Sequence, residues 1–365
     1  MEGAIRCAPA GTVLSLVNGA FSERFAQVAG SCGRTVVRDD VELGAHHTPE
    51  RVAELLQSTG ATSVTLTHSE TSTGAMNDIE ALTRVVHAHG AVILVDSVTG
   101  LAGAPLETDA WDLDFVFTGS QKALALPPGL ALGVASEAFV TAAAGNTDRG
   151  TYFDLVEFEK YAVKNQTPNT PAISLFYALA AQVEAIAVEG IESRWERHRR
   201  MQAMTVRWAE EMQSTLHPSL GVLAPASGRS PTVSCITLPE SLKGSAIAAA
   251  VGQRGFVIGA GYGPLRDRTI RIGHMGDHTE TGLQRCLAVV RSVLEAQLRG
   301  SRRVRAPSQL RVGASGAVQR LDDRHRVIPR PRHLVDRLAD VGHASRLRNP
   351  HQALMQRACG LRHGS

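Results

Sequence analysis

The sequence predicts an α/β protein: a large domain with a mostly parallel sheet, followed by a small α/β domain. Three observations carry that prediction. Short, almost continuously apolar runs alternate with helical stretches from residue 11 to about residue 132. Small and polar residues gather directly after each run. The pattern changes after His217, where strand-like and helix-like segments resume.

The apolar runs are residues 12–17, 63–67, 91–95, 114–118 and 130–135. Each is rich in Val, Leu or Ile, as expected of strands buried on both faces. Helices are predicted between them at 22–30, 49–58 and 77–90. Strand and helix in turn imply a parallel sheet. Ligands of such sheets sit at the carboxyl ends of the strands. The segments to read for chemistry are therefore 18–21, 68–74, 96–98 and 119–122.

A Pro- and Thr-rich break, NQTPNTP at 165–171, precedes two long helices at 172–189 and 191–216. The second carries a basic patch from Arg194 to Arg200, read as a solvated helix face. Strands at 231–238 and 270–272 and helices at 241–252 and 279–298 make up the smaller domain. The expected division is a large domain at 1–188, a small domain at 189–298 and a tail at 299–365.

Composition sets the class. Of 365 residues, 43% are hydrophobic and 20% charged, enough for a sizeable core and too apolar for wholesale disorder. No run of 18 apolar residues is present, and residues 1–11 do not read as a signal peptide. The five cysteines are scattered and none forms CxxC, so neither a disulfide framework nor a zinc site is indicated. A reducing cytoplasm is the expected compartment. The net charge of +3 hides an asymmetry: residues 299–365 carry +11 and residues 1–298 carry −8. The whole-chain charge is thus no argument for nucleic-acid binding. The tail has no Phe, Tyr, Trp or Lys, so disorder or weak helix is expected there. It reads either as a contact for an acidic partner or as a run-on extension of an Arg-rich coding region.

Lysine is scarce: Lys122, Lys160, Lys164 and Lys243 are the whole set. Lys122 alone sits between apolar stretches, DFVFTGSQ before it and ALALPPGLALGV after it. A lysine in such a setting loses proton affinity. A neutral amine at the mouth of a sheet can form a Schiff base with an aldehyde cofactor. On composition alone, a snorkelling lysine at a strand end is the simpler assignment. Asp96 shifts the balance, because it ends the apolar run AVILV, where a carboxylate is wasteful unless it meets a cation. The protonated pyridine nitrogen of pyridoxal phosphate is such a cation; a helix N-cap is the alternative role. Other chemistries are poorer fits. His274 and His278 stand four apart but enclose Gly276 and lack an HExxH pattern, so no metal is expected. GAGYGP at 259–264 does not follow a βα pattern and is no dinucleotide loop.

Two long stretches, SVTLTHSETSTGAMND and VILVDSVTGLAGAPLETDAWDLDFVFTGSQKALALPPGLALG, resemble the class V aminotransferase family. Within it GSQKAL followed by PPG is similar to the alanine–glyoxylate and serine–pyruvate branch, as are TPNTPAISLFYAL and TIRIGHMGDHT. The likeness spans about residues 1–298. It implies fold type I of the pyridoxal-phosphate enzymes and a homodimer with sites at the subunit interface. It implies amino transfer from a small L-amino acid such as serine or alanine to a 2-oxo acid such as glyoxylate or pyruvate. By resemblance, Lys122 is the Schiff-base lysine and proton carrier, and Asp96 faces the pyridine nitrogen. Phe21 stacks on the ring, Val98 packs its other face and Thr71 lies near the phenolic oxygen. Gln121 reaches the phosphate, and Thr167 and Thr170 touch the phosphate of the neighbouring subunit. Arg271 holds the substrate carboxylate, a planar guanidinium being suited to a bidentate contact. Without the resemblance, Phe21 reads as a core residue and Arg271 as a surface strand residue.

The chain departs from the family at its start. The resemblance puts MEGAI inside the helix after the family's first Gly-rich loop, about 60 residues late for a full domain with its arm. A wrong start codon and a real truncation both fit. Two rival readings are a non-catalytic truncated paralogue and a cysteine desulfurase-like enzyme. Against the second, Gln121 rather than His precedes Lys122, and no Cys lies in a Gly/Ser-rich loop.

Overall fold

A computed structural model describes the backbone of residues 1–305, with side chains to residue 300. The basic tail expected at 299–365 lies outside the described residues from 306 onward. Among the described residues, residues 1–303 form one compact unit. The chain begins with α1 (Glu2–Cys7), β1 (Val13–Val17), α2 (Ala20–Ser31), β2 (Val36–Asp40) and α3 (Pro49–Thr59). Then come β3 (Ser63–Thr67), the two-residue strands β4 (Ser69–Glu70) and β5 (Ala75–Met76), α4 (Ile79–Ala88), β6 (Val92–Asp96), β7 (Phe115–Gly119) and β8 (Ala131–Ala135). Helices α5 (Glu137–Ala143), α6 (Leu155–Ala162), α7 (Ile173–Glu189) and α8 (Ile191–Thr215) follow. The rest is β9 (Gly221–Val222), β10 (Val233–Thr237), α9 (Gly244–Gly252), β11 (Gly259–Ala260), β12 (Thr269–Gly273) and α10 (Glu280–Arg305).

Six strands form the main sheet in the order β2-β1-β3-β6-β7-β8. All neighbours are parallel except β7 and β8. The expected parallel sheet is therefore present, and the five apolar runs are five of its strands. The sixth, β2, gives no apolar run because three of its five residues, VVRDD, are charged. Central strands β1 and β3 are buried at every residue. One expectation fails at the edge: β8 was read as buried on both faces, yet none of its residues is buried. A short apolar run cannot report whether a neighbour covers it.

Each face of the sheet has its own core. Leu14, Leu16, Val64, Leu66, Ile93, Val95 and Val116 meet Val52 and Leu56 of α3 and Ile79, Leu82 and Val86 of α4. On the other face Val13, Leu94 and Phe115 meet Ile5 of α1, Phe25 of α2 and Phe139 of α5. Helix entry is set locally. Thr48 accepts the Arg51 N–H before α3, with Pro49 at the first turn, and Asp78 accepts the Ala81 N–H before α4. Gly60 ends α3 at φ +60°, where a side chain would be strained.

A second, four-stranded antiparallel sheet has the order β11-β12-β10-β9. Its Ile236, Ile270 and Ile272 pack with Met201, Trp208 and Met212 of α8, Ile247 of α9 and Leu287 and Leu294 of α10. The basic patch on α8 needs correction here. Arg199 and Arg200 are solvated as expected, at 54% and 51% side-chain exposure, but Arg194 is 2% exposed and His198 fully buried. Positions 194, 198, 201, 205, 208 and 212 form one buried stripe at helical spacing. A run of charges shares sequence but not a face, so part of the patch is interior.

Leu94 is fully buried beneath the strand end that carries Asp96. Leu94→Ala is expected to lower unfolding free energy by about 2–5 kcal/mol, read from the urea midpoint. A loss below about 1 kcal/mol would mean that this face repacks freely.

Candidate active site

Asp96 is the last residue of β6 and is 3% exposed. It shares a sheet face with Leu94, so it points towards the side covered by α1 and α2. Its Oδ1 accepts the Val98 N–H at 2.9 Å. Its Oδ2 has no hydrogen-bond partner among the described residues. Burial pushes the carboxyl up to about 6, partly opposed by the Val98 N–H. Glu70 adds to the rise, while the chain's amino terminus and Lys122 oppose it. Beside Asp96 in register lies Thr67, the last residue of β3, whose Oγ1 is buried without a partner.

Lys122 lies three residues beyond β7, in a turn closed by the Ala125 N–H donating to the Lys122 carbonyl. Its ammonium has no ion-pair or hydrogen-bond partner among the described residues. Burial lowers its pKa, the positive charge of Arg271 lowers it further, and Asp96 acts in the opposite sense. The amine is thus tuned towards its neutral form by its surroundings.

Arg271 sits in β12 between the buried Ile270 and Ile272. Its Nε donates to the Ala260 carbonyl at 2.9 Å and its Nη1 to the Thr71 carbonyl at 3.3 Å. The guanidinium carbon lies 5.8 Å from the Tyr262 ring centre. Gly259 keeps this arginine in place: a Cβ there would come within 3.1 Å of Nη2. Tyr262 in turn lies 5.6 Å from the Phe21 ring, tilted by 32°. Phe21, Tyr262, Arg271 and Thr71 are therefore linked side by side.

The first turn of α2, which carries Phe21, is held by Glu70. That carboxylate is fully buried and accepts the N–H groups of Phe21 and Ser22 at 3.1 and 3.0 Å. It also accepts from the Ser22 hydroxyl and from the Ser72 amide and hydroxyl. A carboxylate at a helix start satisfies orphan N–H groups and complements the helix dipole. Thr71, next in sequence, shares a hydrogen bond with Thr99. His68 is fully buried with Nδ1 3.0 Å from Ser97 Oγ, and burial holds it down to about 4, so it is neutral at pH 7.

Of the residues singled out in the sequence, Asp96, Lys122, Arg271, Thr71, Phe21 and Val98 are joined by contacts or fields. Gln121 is exposed and lies against Gly119. Thr167 and Thr170 are also exposed, on the segment between α6 and α7. Sequence reasoning missed Glu70 and Tyr262. Glu70 had a signal, an acidic residue among small polar ones just past a strand end. Tyr262 had a weaker one, an aromatic between two glycines.

Asp96 makes a stability prediction. A carboxyl whose folded pKa lies above its unfolded value of 3.8 favours folding most below that value. That contribution is lost as pH rises through about 6. Asp96→Asn should therefore be more stable than wild type at pH 7 by up to about 3 kcal/mol, with the gap closing near pH 4. Denaturant melts of the cofactor-free chain across that range check it. A gap independent of pH would show that the carboxyl is not desolvated.

Comparison with known proteins places the chain among aminotransferases. The family model described as Aminotransferase class-V matches residues 10–265. An uncharacterised aminotransferase of Methanocaldococcus jannaschii is 37% identical over 287 residues, 78% of this chain and 73% of that protein. A protein named as the small subunit of a soluble hydrogenase, from Synechococcus, is 35% identical over 77% of this chain and 72% of its own. Among solved structures, an alanine–glyoxylate aminotransferase from Nostoc superposes with a TM-score of 0.75 at 28% identity, covering 80% of this chain and 78% of that one.

Proposed function

The chain belongs to the class V aminotransferase family, and from that premise we propose that it moves an amino group from a small L-amino acid to a 2-oxo acid. Serine or alanine is the proposed donor, and glyoxylate or pyruvate the acceptor. The family depends on pyridoxal phosphate, and relatives of the chain are named as transaminases. The observation that carries the reading is the position of Lys122 just beyond the end of β7, the strand that pairs with β6 and its buried terminal Asp96.

The residues present fit the cofactor. Asp96 offers a buried carboxylate with one oxygen unpaired among the described residues, and Thr67 an unpartnered hydroxyl beside it. When bound, the cofactor supplies an aldehyde and an electron-withdrawing ring that stabilises negative charge at the substrate α-carbon. Lys122 would hold it covalently and, once released, carry the proton to and from that carbon. Asp96 would keep the ring nitrogen protonated, and in return a cation would settle the desolvated carboxylate. Phe21 and Val98 would hold the ring flat, with Thr71 at its oxygen and Gln121 towards the phosphate. Arg271 would hold the carboxylate shared by donor and acceptor, its guanidinium being oriented by the Ala260 carbonyl at Nε and the Thr71 carbonyl at Nη1. One arginine serving both substrates fits an exchange in two halves.

A homodimer is part of the proposal. No residue of α7 is buried in the single chain, although Ile173, Tyr177, Val183 and Val188 are 55%, 61%, 52% and 90% exposed. Apolar surface of that extent suits a second copy. Thr167 and Thr170, just before α7, would then reach the neighbouring site. No single helix among the described residues is long and apolar enough to cross a membrane.

Lys122→Ala is expected to abolish turnover of serine or alanine with glyoxylate or pyruvate, and also the cofactor's visible Schiff-base absorbance. Survival of either at the wild-type level would remove Lys122 from its role. Arg271→Ala should raise KM for amino and oxo acid alike by roughly tenfold or more, the loss of a charged hydrogen bond; an unchanged KM for both would place the arginine outside the site. Val183→Glu is expected to turn a dimer into a monomer in sedimentation, and a dimer that persists would argue against α7 as the interface.

A further inference from the structure

Arg194 is the largest of the fully buried side chains among the described residues, and the mechanism above makes no use of it. Its Nη1 donates to Glu189 at 2.7 Å, at the end of α7. Its Nη2 donates to Asp277 Oδ1 and to the Ala123 carbonyl, both at 2.9 Å. Ala123 is the residue after Lys122. One turn along α8, His198 donates from Nδ1 to the Arg194 carbonyl and accepts the Gly276 N–H on Nε2 at 3.0 Å. Burial holds His198 down to about 4, which keeps Nε2 free to accept. Gly276 itself lies against the lysine turn: a Cβ there would meet Ala125 Cβ at 3.0 Å and the Lys122 carbonyl at 3.3 Å. Arg197 completes the set, donating to the Gly276 and His278 carbonyls and to Glu189.

These contacts converge on two short segments. One is the turn from Lys122 to Ala125. The other is 274–278, which directly follows the strand of Arg271. We propose that Arg194 is a positioning residue for Lys122: by holding the Ala123 carbonyl and the Asp277 segment together, it fixes the lysine turn against the strand of Arg271. The inference rests on the functional reading of Lys122. A surface ion pair would need no burial, and burying a guanidinium is costly unless it is well partnered; both Nη groups of Arg194 are paired, while Nε is buried without a hydrogen-bond partner among the described residues. A planar fork can reach a carbonyl and two carboxylates at once, whereas a lysine ammonium at this position has one nitrogen for all three.

The test uses the full chain and the pH dependence of Lys122 acetylation by acetic anhydride, followed by mass spectrometry. In wild type the groups facing the amine are Arg271, which depresses its proton affinity, and Asp96, which raises it. Arg194→Lys keeps the charge, so any change in the Lys122 midpoint reports geometry and solvent access rather than field. The expected result is a midpoint raised by roughly half a pH unit or more as the turn loosens and the amine gains water. The holoenzyme should lose about tenfold in kcat with KM for the amino acid within about twofold. Arg199→Lys alters a solvated arginine of the same helix that pairs, among the described residues, only with Glu196, and it should leave the midpoint and kcat at wild-type values. If Arg194→Lys does not fold, Arg194→Gln, whose amide can donate to one acceptor but carries no charge, is read from the kcat-against-KM split alone. A folded variant with an unmoved midpoint and unchanged kcat overturns the proposal, and so does an equal shift in Arg199→Lys. Turnover that survives Lys122→Ala would instead overturn the functional reading, while leaving the labelling midpoint of the bare chain as it was.

Discussion

The loss of water around a carboxylate and an amine, placed beyond the ends of neighbouring strands, organises this site. Asp96 ends one strand and Lys122 follows the next, and the protein body screens each from solvent. Among the described residues neither group has an ion-pair partner within hydrogen-bonding distance. Burial shifts each towards its neutral form, the carboxyl upward and the amine downward, and perturbed groups of this kind mark functional sites. The parallel sheet makes this possible, because it delivers successive strand ends to one edge in fixed register.

The polar groups around that pair are satisfied with care. Glu70 spends both carboxylate oxygens on the start of α2 and on Ser72, which fixes Phe21 and Thr71 from one point. Buried Ser15 and Thr65 hydrogen-bond across β1 and β3 on the same face. Unpartnered groups are few by comparison, and Thr67 lies beside Asp96. A polar neighbourhood this well paired leaves its free valences where a ligand would use them.

Much of this was legible in the sequence. Asp96 could be placed at a strand end because the apolar run before it has nowhere else to stop. Lys122 stood out because lysines are rare and the others lie in polar surroundings. Arg271 was framed by two isoleucines. What could not be read was anything set by contacts between distant segments. Glu70 is an ordinary acidic residue until α2 arrives above it, 48 residues away in the chain. The charges of α8 divide into inner and outer sets only when the helix meets the lysine turn. The edge strand β8 looks like its buried neighbours because composition does not record what lies beyond the last strand.

Helix α8 has two attachments. Its first turns hold the Lys122 turn through Arg194 and His198, and its later turns, from Met201 to Met212, are built into the core of the small sheet. A straight helix advances about 1.5 Å and turns about 100° per residue. Inserting or deleting a single residue between Arg194 and Trp208 would leave composition and helicity almost intact, yet swing one attachment away from the other. Side chains along the outer face are free to drift, but the count of residues in α8 is fixed, so the helix acts as a ruler between the two sheets.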